Sequence, residues 1–208
     1  MPWSKRIFRK DGEKEVVGTY LNAFIHNGDY FLSEIKIYAD GKVDCWELVD
    51  FEAFKQKVRS GWVVTKLPDK AKVSISGITS FIARDVQSFV EPEEFIKEVA
   101  EEIEELNGRP TAGDKCRAAY HDFLKEQSGE AREKLKQAYE AIPEHLRRYV
   151  LRDMDAKDVP IRMIIYGEDE IEKWSHRIAG RKMGIKPLPT IHVPGAKPAK
   201  KPWWKFFV

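Results

Sequence analysis

Three carboxylates, Asp153, Asp155 and Asp158, stand within six residues of one another, and His176 lies on the last predicted helix. Carboxylates in a loop, with an imidazole to join them, are residue types that hold a divalent cation and activate water for hydrolysis. The spacing is not that of an EF-hand, which would require glycine where Asp158 stands and a bidentate glutamate where Ile164 stands. Aspartates in such a stretch also cap the turns of a solvated loop with no metal involved. A second set surrounds the last helix. Glu168, Asp169, Glu170, Glu172, His176 and Arg177 offer an acid, a base and an anion-binding group, and Glu172 and His176, four apart, share a helical face. Acidic residues at a helix start and basic ones further along are, however, what the macrodipole favours in any helix. Asp153, Asp155, Asp158 and His176 are the candidate catalytic residues, and a metal-dependent hydrolase is the enzymatic reading they permit. His26, His121, His145, His176 and His192 show no zinc-type spacing with one another or with Cys45 and Cys116. No glycine-rich phosphate loop, nucleophile elbow or metalloprotease helix is present. The residues imply no cofactor and no defined metal ligand set.

The sharper signal is one of binding. From Lys173 to Val208 the chain carries nine Lys/Arg and no acidic residue, and it ends in Pro-Trp-Trp-Lys-Phe-Phe-Val. Trp203, Trp204, Phe206 and Phe207 interleave with Lys200, Lys201 and Lys205. Such residues fill pockets on a protein partner, where buried aromatics dominate interface energetics. They also stack on bases while lysines meet phosphates, or sit at a membrane interface as a peripheral contact. The spacing of Lys200, Trp203, Phe206 and Phe207 is similar to that of sliding-clamp-binding peptides, with Lys200 in place of their leading glutamine. The remaining reading is that the tail packs on its own protein, over the second face of the N-terminal sheet, because four exposed large aromatics are a liability.

The net charge of +2 conceals segregation. Eight glutamates against Lys97 alone fill Glu91 to Glu105, whereas the first fourteen residues hold five Lys/Arg against Asp11 and Glu13. Basic ends flanking an acidic middle suit electrostatic recognition of a partner, or neutralise one another within the molecule. With 208 residues, 42% of them hydrophobic, the chain has enough apolar surface for one sizeable core or two small ones. No stretch approaches the roughly 20 apolar residues of a membrane span, and no apolar run follows the basic N-terminus. Two distant cysteines read as buried free thiols of a reducing compartment. The expected location is the cytoplasm.

The elements that must position these residues change character midway. Asn27-Gly28 and Asp40-Gly41 predict two hairpins joining Leu21–Ile25, Tyr30–Ile37 and Val43–Leu48. Two-residue turns there would put Phe24 opposite Phe31, Tyr20 opposite Ile35 and Ile35 opposite Trp46, giving a core face of Tyr20, Phe24, Phe31, Ile35, Ile37 and Trp46. Asp50 caps a short helix carrying Phe51, Phe54 and Val58, and Trp62–Thr65, Lys72–Ser76 and Thr79–Ala83 read as strands. Pro92 opens a helix to Leu106 with Phe95, Ile96, Val99, Ile103 and Leu106 on one side. Beyond Asn107-Gly108-Arg109-Pro110 the pattern is helical, with breaks at Ser128-Gly129 and Pro143. Pro160 to Tyr166 reads as one strand, and a last helix turns Ile171, Trp174 and Ile178 inward. Five prolines from Pro187 onward exclude a continuous helix or an interior strand.

Met154-Asp155-Ala156-Lys157-Asp158-Val159-Pro160-Ile161-Arg162 through Tyr166-Gly167, then Trp174-Ser175-His176-Arg177 and Leu188-Pro189-Thr190-Ile191, resembles segments of uncharacterised bacterial proteins. The resemblance covers the C-terminal third, implies a bacterial source and brings no activity or site with it.

The expected fold is α+β. Residues 1–107 form a mostly antiparallel sheet with packed helices, residues 108–186 a mainly helical region with one strand, and residues 187–208 a Pro-rich, basic-aromatic tail. The expected function is non-catalytic binding of a macromolecule, first a protein partner in the manner of an immunity or accessory module. The alternatives are nucleic-acid binding through the basic termini and the metal-dependent hydrolase.

Overall fold

Apolar alternation and glycine-centred turns build the first half of the chain. Strand β1 (Ile7–Asp11) turns at Gly12 into the long β2 (Lys14–Asn27), which turns at Gly28 into β3 (Asp29–Tyr38). Short strands β4 (Val43–Asp44) and β5 (Leu48–Val49) follow, then β6 (Val63–Val64), β7 (Lys72–Ile75) and β8 (Thr79–Ile82). All eight belong to one sheet, antiparallel except where β7 runs parallel to β3. The computed structural model describes residues 5–198. It divides into two units, one ending at Thr111 and the other beginning at Ala112.

The meander is shifted by one residue from the register predicted for two-residue turns. Asn27 pairs with Asp29 across Gly28, so Ile25 faces Phe31 and Leu21 faces Ile35. At the second turn the Gly41 N–H donates to Tyr38 O and the Tyr38 N–H to Lys42 O, with Gly41 at φ +81°. That is the three-residue hairpin loop with a left-handed glycine, and it places Ile37 opposite Val43. Side chains alternate, so an offset of one exchanges the faces. The core face therefore carries Leu21, Ala23, Ile25, Ile35, Ile37 and Val43. Phe24 and Tyr30 fall on the opposite face, in a smaller cluster with Leu67, Ala71, Val73 and Ala83.

Two helices close the main core. Asp50 caps α1 (Phe51–Arg59), its carboxylate accepting from the Ala53 N–H at 2.8 Å. Pro92 opens α2 (Pro92–Leu106). Phe54 and Val58 from α1 and Phe95, Ile96 and Val99 from α2 pack with the sheet residues, as their helical spacing predicts. The α+β fold read from sequence is the one observed.

The second unit is helical: α3 (Ala112–Glu126), α4 (Gly129–Glu140), α5 (Glu144–Arg147), α6 (Val159–Tyr166) and α7 (Ser175–Lys182), with a 3-10 helix at Glu168–Lys173. Ser128 caps α4 by accepting from the Ala131 N–H at 3.0 Å. The predicted strand at Pro160–Tyr166 is α6 instead. Its β-branched composition misleads because six of its eight residues are buried, so no polar face reveals the period. With no strand among the described residues of this unit, a helix satisfies the buried backbone internally, and Pro160 sits in the first turn, where a missing N–H costs nothing. The last helix is interrupted at Trp174, and Ile178 is exposed rather than inward.

Residues 187–198 adopt neither helix nor strand, as their prolines require, but they are packed. Val193 is buried and Ile191 and Ala196 lie against the helical core. The Glu168 N–H donates to Lys197 O at 2.8 Å and the Arg132 guanidinium to Gly195 O at 3.2 Å. Cys45 and Cys116 are buried free thiols. No helix among the described residues is long and apolar enough to cross a membrane.

Candidate functional site

The candidate catalytic residues sit in the second unit, where the loop between α5 and α6 approaches the start of α7. Asp153 is spent on its own backbone: Oδ1 accepts from the N–H groups of Asp155 and Ala156 at 2.8 and 2.9 Å. Arg152 and Lys157, both at φ +57°, bracket this turn. Asp155 points into solvent, its carboxylate 3.9 Å from His176 Nε2, and the Trp174 indole donates to the Asp155 carbonyl at 2.8 Å. Asp158 turns the other way. It is buried and accepts from the Tyr139 hydroxyl at 2.6 Å. Burial first, and the carboxylate second, push the Tyr139 phenol well above its ordinary pKa.

The structure thus brings Asp155 and His176 together, turns the Asp153 carboxylate onto the backbone of Asp155 and Ala156, and commits Asp158 to Tyr139. Among the described residues no three His, Cys, Asp or Glu side chains are grouped so as to hold a metal ion. An exposed contact such as that of Asp155 with His176 contributes little to stability. Two neighbours that sequence reasoning missed are Lys157 and Ser175, whose ammonium donates to the hydroxyl at 2.9 Å. A nucleophilic serine needs a neighbour that accepts its proton; a donating ammonium does not supply one.

Glu170, in the 3-10 helix, is buried and holds the Arg162 guanidinium and the Lys173 ammonium, the latter at 2.6 Å. Burial alone would raise its carboxyl, but hydrogen bonds from Lys173 and Arg162 outweigh burial, and its pKa falls below the ordinary value. Glu172 pairs with Arg177 and Arg181. Glu170 and Glu172, two of the acidic residues read as an acid-base set, therefore serve as local counter-charges for basic ones.

The tail residues read as a binding arm, Lys200, Lys201, Trp203, Trp204, Lys205, Phe206 and Phe207, lie outside the described residues. A different surface, exposed and apolar, appears in the first unit. The hairpin β7–β8 turns through Gly77 at φ +70°, with the Ile78 N–H donating to Ile75 O. Ile78, at the tip, is 79% exposed, and Phe81, Ile82, Val86 and, at 81% exposed, Phe89 continue the apolar surface along the chain. Among the described residues β8 pairs with β7 alone. Its signal was present in the sequence as eleven residues without a charge, Val73 to Ala83, but a strand assignment does not reveal which strand lies at the edge.

Residues 6–110 match a domain of unknown function, DUF7638, and residues 111–184 match a second, DUF7639. The first match spans half of the chain, which belongs to the DUF7638 family. Likeness to families without an assigned activity thus extends well beyond the C-terminal third. No curated protein and no solved structure matches the chain.

Proposed function

We propose that this DUF7638 chain is a non-catalytic, cytoplasmic binding protein of bacterial type whose partner is another protein, as in an immunity or accessory module. The observation that carries the reading is the apolar hairpin β7–β8 with Val86 and Phe89: five large apolar side chains within twelve residues stand in solvent, and Phe89 and Ile78 are the most exposed of the first unit's large apolar residues. Large apolar side chains left in solvent this close together in the chain are what interaction sites use, and aromatics supply much of the energy there. The aromatic-basic stretch from Lys200 to Phe207 is proposed as a second contact, with its lysines reading acidic groups on the partner. Nucleic acid is the alternative partner, favoured by the nine Lys/Arg after Glu172. Lys173, Arg177 and Arg181 are already engaged by Glu170 or Glu172, which weakens that alternative.

The test is partner recovery from the native host, with nuclease present, using three proteins: the full chain, a Phe89→Ser/Ile78→Ser variant, and a chain ending after Pro198. Truncation there spares the packed residues Ile191 to Lys197. A specific protein held by the full chain and lost from either variant supports the reading. Recovery of nucleic acid instead, with affinity falling steeply as salt rises, or robust turnover by the purified chain, refutes it.

A further inference from the structure

Among the described residues four strands pair with a single neighbour, β1, β5, β6 and β8, and the two longest of them, β1 and β8, differ in charge. β1 carries Arg9, Lys10 and Asp11, and Arg9 is engaged by Asp11 and Asp40. Charges of this kind are how edge strands are kept from pairing with other chains. β8 carries none, and neither does the turn before it. Isoleucine at a hairpin tip, where a polar residue is the norm, removes a further barrier to association.

The backbone of β8 is oriented for pairing. The Ala83 N–H donates inward to Ala71 O at 2.8 Å. Alternation along an antiparallel strand then turns Phe81 and Thr79 inward as well, and presents the N–H and C=O of Ser80 and Ile82 at the outer edge. β8 offers no charge by which to select a foreign strand. Identical uncharged strands meeting about a two-fold axis satisfy each other's outward groups with no like-charge contact.

We propose that β8 pairs antiparallel with β8 of a second copy of this chain, joining the two sheets across a two-fold axis at Phe81. This rests on the reading that the chain acts by docking protein. Ser80 then lies opposite Ile82 of the second copy, exchanging the outward hydrogen bonds, and the two Phe81 rings meet in the closer, non-hydrogen-bonded position. Ile78, Phe81, Ile82, Val86 and Phe89 leave on the order of 500 Å² of apolar surface in water, taking roughly 200 Å² for a whole aromatic side chain. Ile78 and Ile82 stand on one face of the sheet and Phe81 on the other, so strand pairing covers part of this surface, and the association is carried by the backbone edge and the two Phe81 rings.

The test is the mass of the full chain in solution by sedimentation, across a wide concentration range, for the native protein and for Ser80→Pro and Ile82→Lys. Proline at Ser80 removes an outward N–H and none of the bonds to β7, the one strand setting that tolerates it. Circular dichroism on each variant verifies folding. The expected result is twice the chain mass for the native protein and the single mass for both variants, with Phe8→Ser on the opposite edge still dimeric. Phe81→Cys under mild oxidation should give a covalent dimer, and Ser80→Pro added to it should abolish the cross-link. A monomeric native chain overturns the proposal, as does a dimer indifferent to Ser80→Pro and Ile82→Lys. Should the chain be monomeric while host protein is still lost on changing Ile78 and Phe89, the docking reading survives and the second copy does not.

Discussion

Replacing Tyr139 by phenylalanine removes one oxygen atom from the core of the helical unit and leaves its packing in place. The ring is 4% exposed, meets Tyr166 edge-on at 6.5 Å between centroids, and lies under the Arg147 guanidinium. None of these contacts involves the hydroxyl. The hydroxyl donates to Asp158 Oδ2 at 2.6 Å, and Asp158 is itself 7% exposed. A hydrogen bond to a charged group contributes about 1.5–3 kcal/mol, and an abandoned buried carboxylate recovers little of that from water. The expected loss for Tyr139→Phe is therefore about 2 kcal/mol. With a urea slope of roughly 2 kcal/mol/M, this lowers the unfolding midpoint by about 1 M, with the slope itself unchanged. The decisive comparison is a double-mutant cycle. In an Asp158→Ala background Tyr139→Phe should cost little or help, because the hydroxyl has already lost its acceptor. A loss under about 0.5 kcal/mol in the native background, or an equal loss in both, would refute the claim that an unpaired buried carboxylate is what destabilises the variant.

Gly18→Ala should cost about 2–3 kcal/mol by overpacking, because the new Cβ would lie 2.5 Å from Ile37 O and 2.7 Å from Tyr38 Cδ1; a urea midpoint equal to that of the native chain would show that β2 and β3 can part there. Burial first, and then Glu105, Glu98 and Glu101, push the Glu102 carboxyl up to about 7. The folded chain then holds a proton that the unfolded chain releases near pH 4.5, so this contribution is fully present below that pH and is lost as pH rises to about 7. Glu102→Gln should flatten the decline by about 1–2 kcal/mol, allowing for solvent screening of a partly exposed group, and parallel pH profiles for the two proteins would exclude it. Asp50→Ala should cost about 1 kcal/mol through the lost cap on α1, read as a lower midpoint, whereas Asp50→Ser should restore most of it.

Local rules carried much of the first unit. Proline at a first helical position and apolar residues three and four apart gave α2 its bounds, Pro92 to Leu106, and Asp50 marked the start of α1. Register was not legible to the same degree. Asn-Gly and Asp-Gly favour two-residue turns, yet both loops here are odd-numbered, and the choice is made by which strand face the helices must cover. β1 was missed because Ile7 and Phe8 stand among charges, and only pairing with β2 makes a strand of them.

The candidate site was less legible still, and one assignment accounts for much of that. Read as a strand, Pro160–Tyr166 would leave Asp153, Asp155 and Asp158 in one loop at its mouth, free to converge on a cation. As a helix, α6 places its N-cap residue Asp158 and Arg162 four apart, on one face turned into the protein. Asp158 then meets Tyr139, nineteen residues away in sequence, and Arg162 meets Glu170. Neither pairing is visible without the fold, because each depends on helices packing against one another and not on local spacing. The same helical period that buries Ile161, Ile164 and Ile165 draws Asp158 out of the acidic set and commits it to the core. The carboxylate with the strongest constraint on its position is thus a partner to a tyrosine, and the chemistry suggested by three nearby aspartates is dispersed by the element that follows them.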